Sequence, residues 1–232
     1  MKKLSKRLLT QNQLLDNNKK NNYSIEEAIE ILKNFQTTKF KETAEAHISL
    51  NIDPKYNNQQ LRATLILPKG TGKNIRIAIV TSEDLVEDSL KKGADIAGSE
   101  SLIEDITNEI INFDILIATP DQMPKLAKLG RILGPKGLMP SPKSGTVTKD
   151  IEEAINQFKK GKLEYRADKT GIVHIPFGKT EFNKEDLLEN LQAVYNSIEK
   201  NKPSGVRGKY FKTFYICSSM SKSIAIDLNS FR

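Results

Sequence analysis

The apolar residues repeat with one period at the two ends of the chain and with another in its middle. Residues 43–52 alternate strictly between apolar and polar side chains, which is the pattern of a strand with one buried face. Residues 75–80 and 113–118 are instead nearly continuous apolar runs, each followed by a helix start, as in parallel strands buried on both faces. The sequence therefore predicts two kinds of sheet, and with them two domains.

The C-terminal third shows the same one-faced pattern as the N-terminal part. An amphipathic helix is predicted from Ser24, which opens a capping box, and a longer one over residues 184–199. One-faced strands are predicted at residues 43–52, 61–67, 162–168, 171–179, 209–217 and 223–228. We assign residues 1–68 and 160–232 to one discontinuous α+β outer domain, and residues 69–159 to an inserted three-layer, Rossmann-like α/β domain.

Short connections rich in glycine and lysine mark both edges of the inserted domain. Residues 68–72 lead into it and residues 159–162 lead out of it. Because only two thin connections join the domains, we expect the inserted domain to move about them while the outer domain stays bound to its partner.

Positive charge is concentrated at the two ends of the chain. Residues 1–69 carry 12 Lys and Arg against 7 Asp and Glu, and residues 159–232 carry 14 against 8. Residues 70–158 carry 10 against 14, so the middle is acidic within a chain of net charge +7. Such an asymmetry is typical either of a solvated surface or of a face that binds a polyanion.

The chain offers few residues for disulfide or metal chemistry. A single cysteine, Cys217, cannot form an intramolecular disulfide or a multi-cysteine zinc site. The histidines His47 and His174 are far apart in sequence, and neither has the second histidine that a helix-borne metal pair requires. We therefore predict no metal and no cofactor, and we interpret Cys217 as a packing residue rather than a nucleophile.

Residues 70–74 suggest a phosphate-binding loop, which leaves a nucleotide-binding enzyme as an alternative. The motif needs glycine where Leu67 stands and serine or threonine where Asn74 stands. The following element is also predicted to be a strand, whereas a phosphate loop must lead into a helix N-terminus. A turn is the better interpretation, and the chain is predicted not to be an enzyme.

Residues 123–149, here called the basic segment, contrast with their acidic surroundings. The segment contains no Asp or Glu and six cations, which are Lys125, Lys128, Arg131, Lys136, Lys143 and Lys149. A long loop rich in glycine and proline can be a lid, a linker or a contact surface for phosphates. Apolar residues spaced through the segment favour a folded, positioned loop over a solvated one.

Residues 129–147, LGRILGPKGLMPSPKSGTV, resemble the signature of the ribosomal protein L1 family, the family of the mobile stalk of the large ribosomal subunit. Further similar stretches follow in order along the chain, at Thr37–His47, Phe113–Met123, Gly161–Lys179 and Lys202–Lys212. The resemblance implies the two-domain L1-like fold, in agreement with the pattern of the apolar residues.

The resemblance also implies an RNA-binding set in the outer domain. Its members are Lys39, Phe40, Thr43, Arg166, Lys169, Thr213, Ser219, Met220 and Ser221. A lysine neutralises phosphate, hydroxyls bond to the 2′-OH and base edges, and Phe40 and Met220 offer apolar surface against RNA. The alternative for Phe40 is a core residue after a helix, since most phenylalanines are buried. Ser221 stands at a position where the family usually has glycine. Serine does not allow the close backbone approach or the positive φ of glycine, so the last turn is expected to differ in geometry.

The implied partners are large-subunit ribosomal RNA, the transfer RNA leaving the exit site and, for bacterial members, the protein's own messenger RNA. A free regulator that binds messenger RNA therefore remains an alternative to a ribosomal component.

We expect a monomer when the protein is free. We expect no membrane partner, because no apolar run approaches the ~18 residues that span a bilayer. Lysine outnumbers arginine 29 to 7, as in genomes poor in G and C, and no transit leader is recognised. We therefore expect a ribosome of a plastid stroma or of a bacterial cytoplasm.

Overall fold

The computed structural model describes residues 6–18, 22–35 and 38–231. These divide into two compact units, one formed by the described residues up to Gly72 together with those from Leu163 onward, and the other by Lys73–Lys162. Within the described residues, no helix has the length and apolar character needed to cross a bilayer.

The chain mixes helices and strands throughout both units. In chain order they are α1 (Lys6–Asn18), α2 (Ile25–Asn34), β1 (Thr43–Leu50), β2 (Arg62–Ile66), β3 (Ile77–Val80), α3 (Val86–Lys91), β4 (Ile96–Gly98), α4 (Glu100–Thr107), β5 (Ile115–Ala118), α5 (Met123–Ala127), α6 (Gly130–Leu133), α7 (Ile151–Lys159), β6 (Lys162–Arg166), β7 (Ile172–Lys179), α8 (Lys184–Lys200), β8 (Phe211–Ser218) and β9 (Ile224–Ile226). The α/β fold class predicted from the sequence is confirmed.

The first unit is built on a four-stranded antiparallel sheet in the order β7-β1-β8-β9. Helices α2 and α8 pack together on one face of this sheet, because both carry an apolar stripe that the sheet can bury. Helix α2 starts with the predicted capping box, in which the Ser24 hydroxyl accepts a hydrogen bond from the backbone N–H of Glu27. Strand β1 alternates between buried and half-buried residues along its whole length, so its second face is left open. A separate two-stranded sheet joins β2 and β6.

The second unit contains a three-stranded parallel sheet in the order β4-β3-β5. Alternate residues of β3 belong to two different apolar clusters, with Ala78 and Val80 in one and Ile77 and Ile79 in the other. Helices α4, α5 and α6 contribute to the first cluster and α7 contributes to the second. The sheet is therefore covered on both faces, which explains its continuous apolar runs.

The basic segment is not a single loop. It contains the short helices α5 and α6, whose residues Leu126 and Leu133, with Leu129 between the helices, are buried against the sheet. The expectation of a folded and positioned segment is confirmed, but residues 123–133 are largely helical and only residues 134–149 form the expected loop. The glycines and prolines of the segment weaken the helical signal in the sequence, because both residue types lower helix propensity.

Candidate nucleic-acid interface

One end of the four-stranded sheet brings together residues from three separate stretches of the chain. Thr43 at the start of β1 pairs in register with Lys179 at the end of β7, and Ala44 pairs with Ser218 at the end of β8. The segments before β1 and after β8 therefore meet at this end. We call the surface that they form the strand-end surface; it consists of Lys39, Phe40, Thr43, Lys179, Ser219, Met220 and Ser221.

Hydrogen bonds hold the polar groups of the strand-end surface in place. The Lys179 ammonium donates to the Thr43 hydroxyl at 2.8 Å. The backbone N–H of Thr43 donates to the Ser219 hydroxyl at 3.1 Å, and the Ser219 N–H donates back to the Thr43 carbonyl at 3.1 Å. The hydroxyls of Thr43 and Ser219 are thus both held by groups from a neighbouring strand.

The buried residue Glu42 supports the strand-end surface. It was not predicted from the sequence. Its carboxylate is buried and accepts a hydrogen bond from the Ser218 hydroxyl, while its carbonyl accepts one from the Thr180 N–H at 3.1 Å. A lone acidic residue directly after Lys39 and Lys41 was the available signal. Because a buried carboxylate needs partners, it ties β1, β7 and β8 together at this point.

The apolar members of the strand-end surface face solvent. Phe40 is 53% exposed and Met220 is 47% exposed, so the alternative that placed Phe40 in the core is wrong. Lys39 is exposed as well. Thr37, the first residue of the similar stretch before β1, lies outside the described residues.

The turn after β8 does not depend on glycine. Of the described non-glycine residues only Glu109 has a positive φ, so Ser221 adopts an ordinary backbone conformation. Its hydroxyl accepts a hydrogen bond from the Ser218 N–H at 2.8 Å, and its own N–H donates to the Ser218 carbonyl at 3.0 Å. The next N–H, that of Lys222, donates to the Gln11 side chain at 3.3 Å, which ties the turn to α1. A serine therefore closes this turn through its side chain.

Three of the predicted RNA-binding residues lie elsewhere. Thr213 pairs in register with Ser49, close to the other end of β1, and Lys169 lies in the turn just before Gly171, whose carbonyl accepts from the Leu50 N–H. Arg166 ends β6 and is exposed. An eight-residue strand spans roughly 24 Å from its first to its last residue. The predicted set is thus divided between the two ends of the sheet.

The predicted cations of the basic segment, Lys125, Lys128, Arg131, Lys136 and Lys143, are all exposed. Lys125 forms an ion pair with Glu100 at 2.9 Å, and its hydrogen bond lowers the pKa of that carboxyl. Folding buries the apolar residues of the segment and leaves its charges at the surface of an otherwise acidic unit.

The open face of the sheet carries a cluster that the sequence did not suggest. Strand pairing places His47 opposite His174, with 2.7 Å between their Nδ1 atoms, and the Nε2 atom of His47 lies 3.1 Å from the Cys217 sulfur. Burial lowers the pKa of His47, helped by the charge of His174, and burial raises the pKa of Cys217 to about 11. The thiol is thus protonated at neutral pH, in line with its interpretation as a non-nucleophile. The two histidines, far apart in sequence, are therefore neighbours across β1 and β7.

The glycine-rich stretch at residues 70–74 forms a turn. Gly70 has φ 70° and its N–H donates to the Leu67 carbonyl at 3.1 Å. The next regular element is strand β3, not a helix, so no helix N-terminus is available to hold a phosphate. The structure of residues 70–74 therefore gives no support to the alternative of a nucleotide-binding enzyme.

The chain is a two-unit α/β protein. One unit is discontinuous in sequence and has a sheet covered by helices on one face, and the other has a parallel sheet covered on both faces. Comparison with known proteins identifies the family of the chain. The sequence model of the ribosomal protein L1p/L10e family matches residues 32–222, so the chain belongs to that family.

Its relatives cover nearly the whole chain. It is 64% identical over 210 residues to the large ribosomal subunit protein uL1c of Rhodomonas salina, covering 90% of each chain. It is 57% identical to uL1c of Guillardia theta over 232 residues, covering 100% of this chain and 98% of the relative. It is 56% identical to uL1 of Prochlorococcus marinus (strain NATL1A) over 229 residues, covering 99% and 96%.

The resemblance noted in the sequence is therefore confirmed, in its plastid and cyanobacterial form. The chain is a protein of the large ribosomal subunit, and its place is the ribosome. The interpretation of the chain as a ribosomal protein and not an enzyme agrees with these relatives.

Proposed function

We propose that the chain binds large-subunit ribosomal RNA directly through the strand-end surface. The observation that carries this proposal is the exposure of Phe40 and Met220 in the same two segments that hold the anchored hydroxyls of Thr43 and Ser219. Exposed apolar side chains beside fixed hydroxyl groups can pack against bases and sugars while the hydroxyls bond to the RNA, which suits RNA binding.

Each group of the strand-end surface has a distinct role in this proposal. Lys39 neutralises backbone phosphate, and the hydroxyls of Thr43 and Ser219 bond to 2′-OH groups or base edges. Phe40 and Met220 cover bases or sugars that the RNA presents. Because Lys179 donates to Thr43, it orients that hydroxyl rather than serving only as a free charge. The outer domain proposed from the sequence, residues 1–68 and 160–232, contains all of these groups.

A binding experiment tests the proposal directly. Phe40→Ala and Met220→Ala should each weaken binding of a large-subunit ribosomal RNA fragment by about 1–3 kcal/mol, the range for losing a stacking contact. Tyr56→Ala is the matched control, because Tyr56 is 60% exposed in the same unit but lies beyond the Leu50 end of β1. Equal affinities for all three variants and the unaltered protein would place the RNA elsewhere.

We propose further that the basic segment contacts transfer RNA leaving the exit site, with the inserted domain acting as the mobile part of the stalk. It is supported by the exposed cations of the segment in an otherwise acidic unit. Replacing Lys128, Lys136 and Lys143 together by glutamine should slow the release of deacylated transfer RNA from reconstituted ribosomes. Binding to ribosomal RNA should not change, and a loss of both would assign the segment to the ribosomal RNA site.

Repression of translation through the protein's own messenger RNA is a third part of the proposal. It is supported by the same strand-end surface, which can hold any RNA that presents the same shape. A leader fragment of the messenger should compete with ribosomal RNA, and Phe40→Ala should weaken both complexes. A leader that binds without competition would require a separate site.

A further inference from the structure

Four polar side chains meet on the open face of the sheet, away from α2 and α8. Strand β1 lies between β7 and β8, and the register pairs His47 with His174 and Glu45 with Cys217. All four side chains are half-buried or exposed, so an ion from solvent can reach them. None of the four belongs to the strand-end surface.

Three of these residues present ligand atoms to one point. One atom each of Glu45, His47 and Cys217 lies within 4.8 Å of the other two. The His47 Nε2 atom is 3.1 Å from the Cys217 sulfur and 3.8 Å from a Glu45 carboxylate oxygen. Tetrahedral zinc, with bonds of about 2.0–2.3 Å, holds neighbouring ligand atoms about 3.4–3.6 Å apart. The two distances from His47, 3.1 and 3.8 Å, lie on either side of this range.

His174 contacts the ring nitrogen of His47 that does not face Cys217, and can therefore orient the His47 ring. With His47 Nε2 directed at the metal position, its other nitrogen, Nδ1, carries the proton and donates to the Nδ1 of His174 at 2.7 Å. The Nε2–H of His174 then points toward the Asp168 carboxylate, 3.9 Å away. A metal-bound histidine typically donates its second N–H in this way, which fixes its tautomer and ring orientation.

We propose that Glu45, His47 and Cys217 bind a divalent transition-metal ion, with zinc as the best match, and that His174 is a positioning residue for His47. On binding, the Cys217 thiol releases its proton to solvent and coordinates as the thiolate. A set of thiolate, imidazole and carboxylate selects zinc or cobalt over magnesium or calcium, which prefer oxygen ligands alone. Three protein ligands leave the fourth position of a tetrahedral ion open to solvent on this face of the sheet.

The first experiment uses cobalt as a spectroscopic probe of the full chain. Titration of the metal-free protein with Co²⁺ should produce a thiolate-to-cobalt charge-transfer band and the visible absorption of tetrahedral cobalt, both saturating at one ion per chain. Added Zn²⁺ should remove both signals. Cys217→Ser should abolish the charge-transfer band, and His47→Gln should weaken binding at least on the order of 10-fold.

Two comparisons separate a metal site from a general structural effect. Tyr215→Phe, at an exposed residue of the same strand face, should leave the titration unchanged. His174→Asn retains an acceptor near the Nδ1 position and should bind cobalt nearly as well as the unaltered chain, whereas His174→Phe should lose affinity on the order of 10–100-fold. A folded chain without a saturable charge-transfer band, or a band that His47→Gln leaves intact, would overturn the proposal.

Discussion

At the scale of single residues, Phe35 and Phe40 show how neighbouring aromatics take opposite roles. Phe35 is 1% exposed in the core, and Phe40 is 53% exposed. Phe35→Ala should therefore cost about 3–5 kcal/mol of folding free energy. Phe40→Ala should cost less than about 0.5 kcal/mol, because it changes only the surface. Urea denaturation of both variants measures the difference, and a large loss for Phe40→Ala would mean that this side chain packs internally.

Two buried tyrosines differ in whether their hydroxyls are satisfied. The Tyr165 hydroxyl bonds to the Ser197 hydroxyl at 2.9 Å and accepts from the Asn201 amide at 3.3 Å. The buried Tyr210 hydroxyl has no hydrogen-bond partner among the described residues. Tyr165→Phe should thus lose about 1 kcal/mol of stability, whereas Tyr210→Phe should be neutral or stabilising by about 1 kcal/mol. Melting temperatures of the two variants test the contrast, and equal losses would contradict it.

The same tyrosines predict how stability responds to alkali. Burial raises the pKa of both Tyr165 and Tyr210 above the ordinary value of 10.0. A raised pKa means that the folded state favours the neutral phenol. The stabilisation that results is complete below pH 10 and is lost as the pH rises through the folded-state pKa. Stability measured against pH should fall above 10, and Tyr210→Phe should make the fall shallower. A parallel fall in that variant would assign the alkaline loss to other groups.

At the scale of elements, the turn between β8 and β9 depends on the Ser221 side chain. Ser221→Gly removes the acceptor of the Ser218 N–H and loosens the segment that carries Met220. We expect a loss of about 1 kcal/mol in stability and weaker binding of ribosomal RNA. Ser204→Ala, at an exposed serine in the turn after α8, is the matched control. Unchanged RNA affinity in Ser221→Gly would show that the family glycine is equivalent to serine at this position.

At the scale of the whole molecule, charge separates the two units. Residues 1–72 and 163–232 carry 23 Lys and Arg against 15 Asp and Glu, whereas residues 73–162 carry 13 against 14. A shortened chain that joins residues 1–72 to 163–232 should therefore bind ribosomal RNA nearly as tightly as the full chain. Its affinity should fall steeply with salt, because binding releases counterions from the RNA. Titrations at two salt concentrations test this, and a shortened chain that folds but fails to bind would refute it.

The regular elements could largely be predicted from the sequence, because their signals are local. The alternation in β1, the capping box of α2 and the apolar runs of β3 and β5 each reflect the side of an element that meets water. The short helices of the basic segment were not predictable in this way, since glycine and proline weaken the local signal and burial of Leu126 and Leu133 against the sheet provides the stability.

Tertiary structure decided which residues of the candidate sites lie side by side. Strand β1 pairs with β7 and β8, which lie more than a hundred residues further along the chain, and only this register brings Thr43 to Lys179 and Ser219, and His47 to His174 and Cys217. By itself the sequence determined which residues face the core and which face water. Which polar side chains meet depends on hydrogen-bond register between distant strands, and that register follows from how the whole core packs.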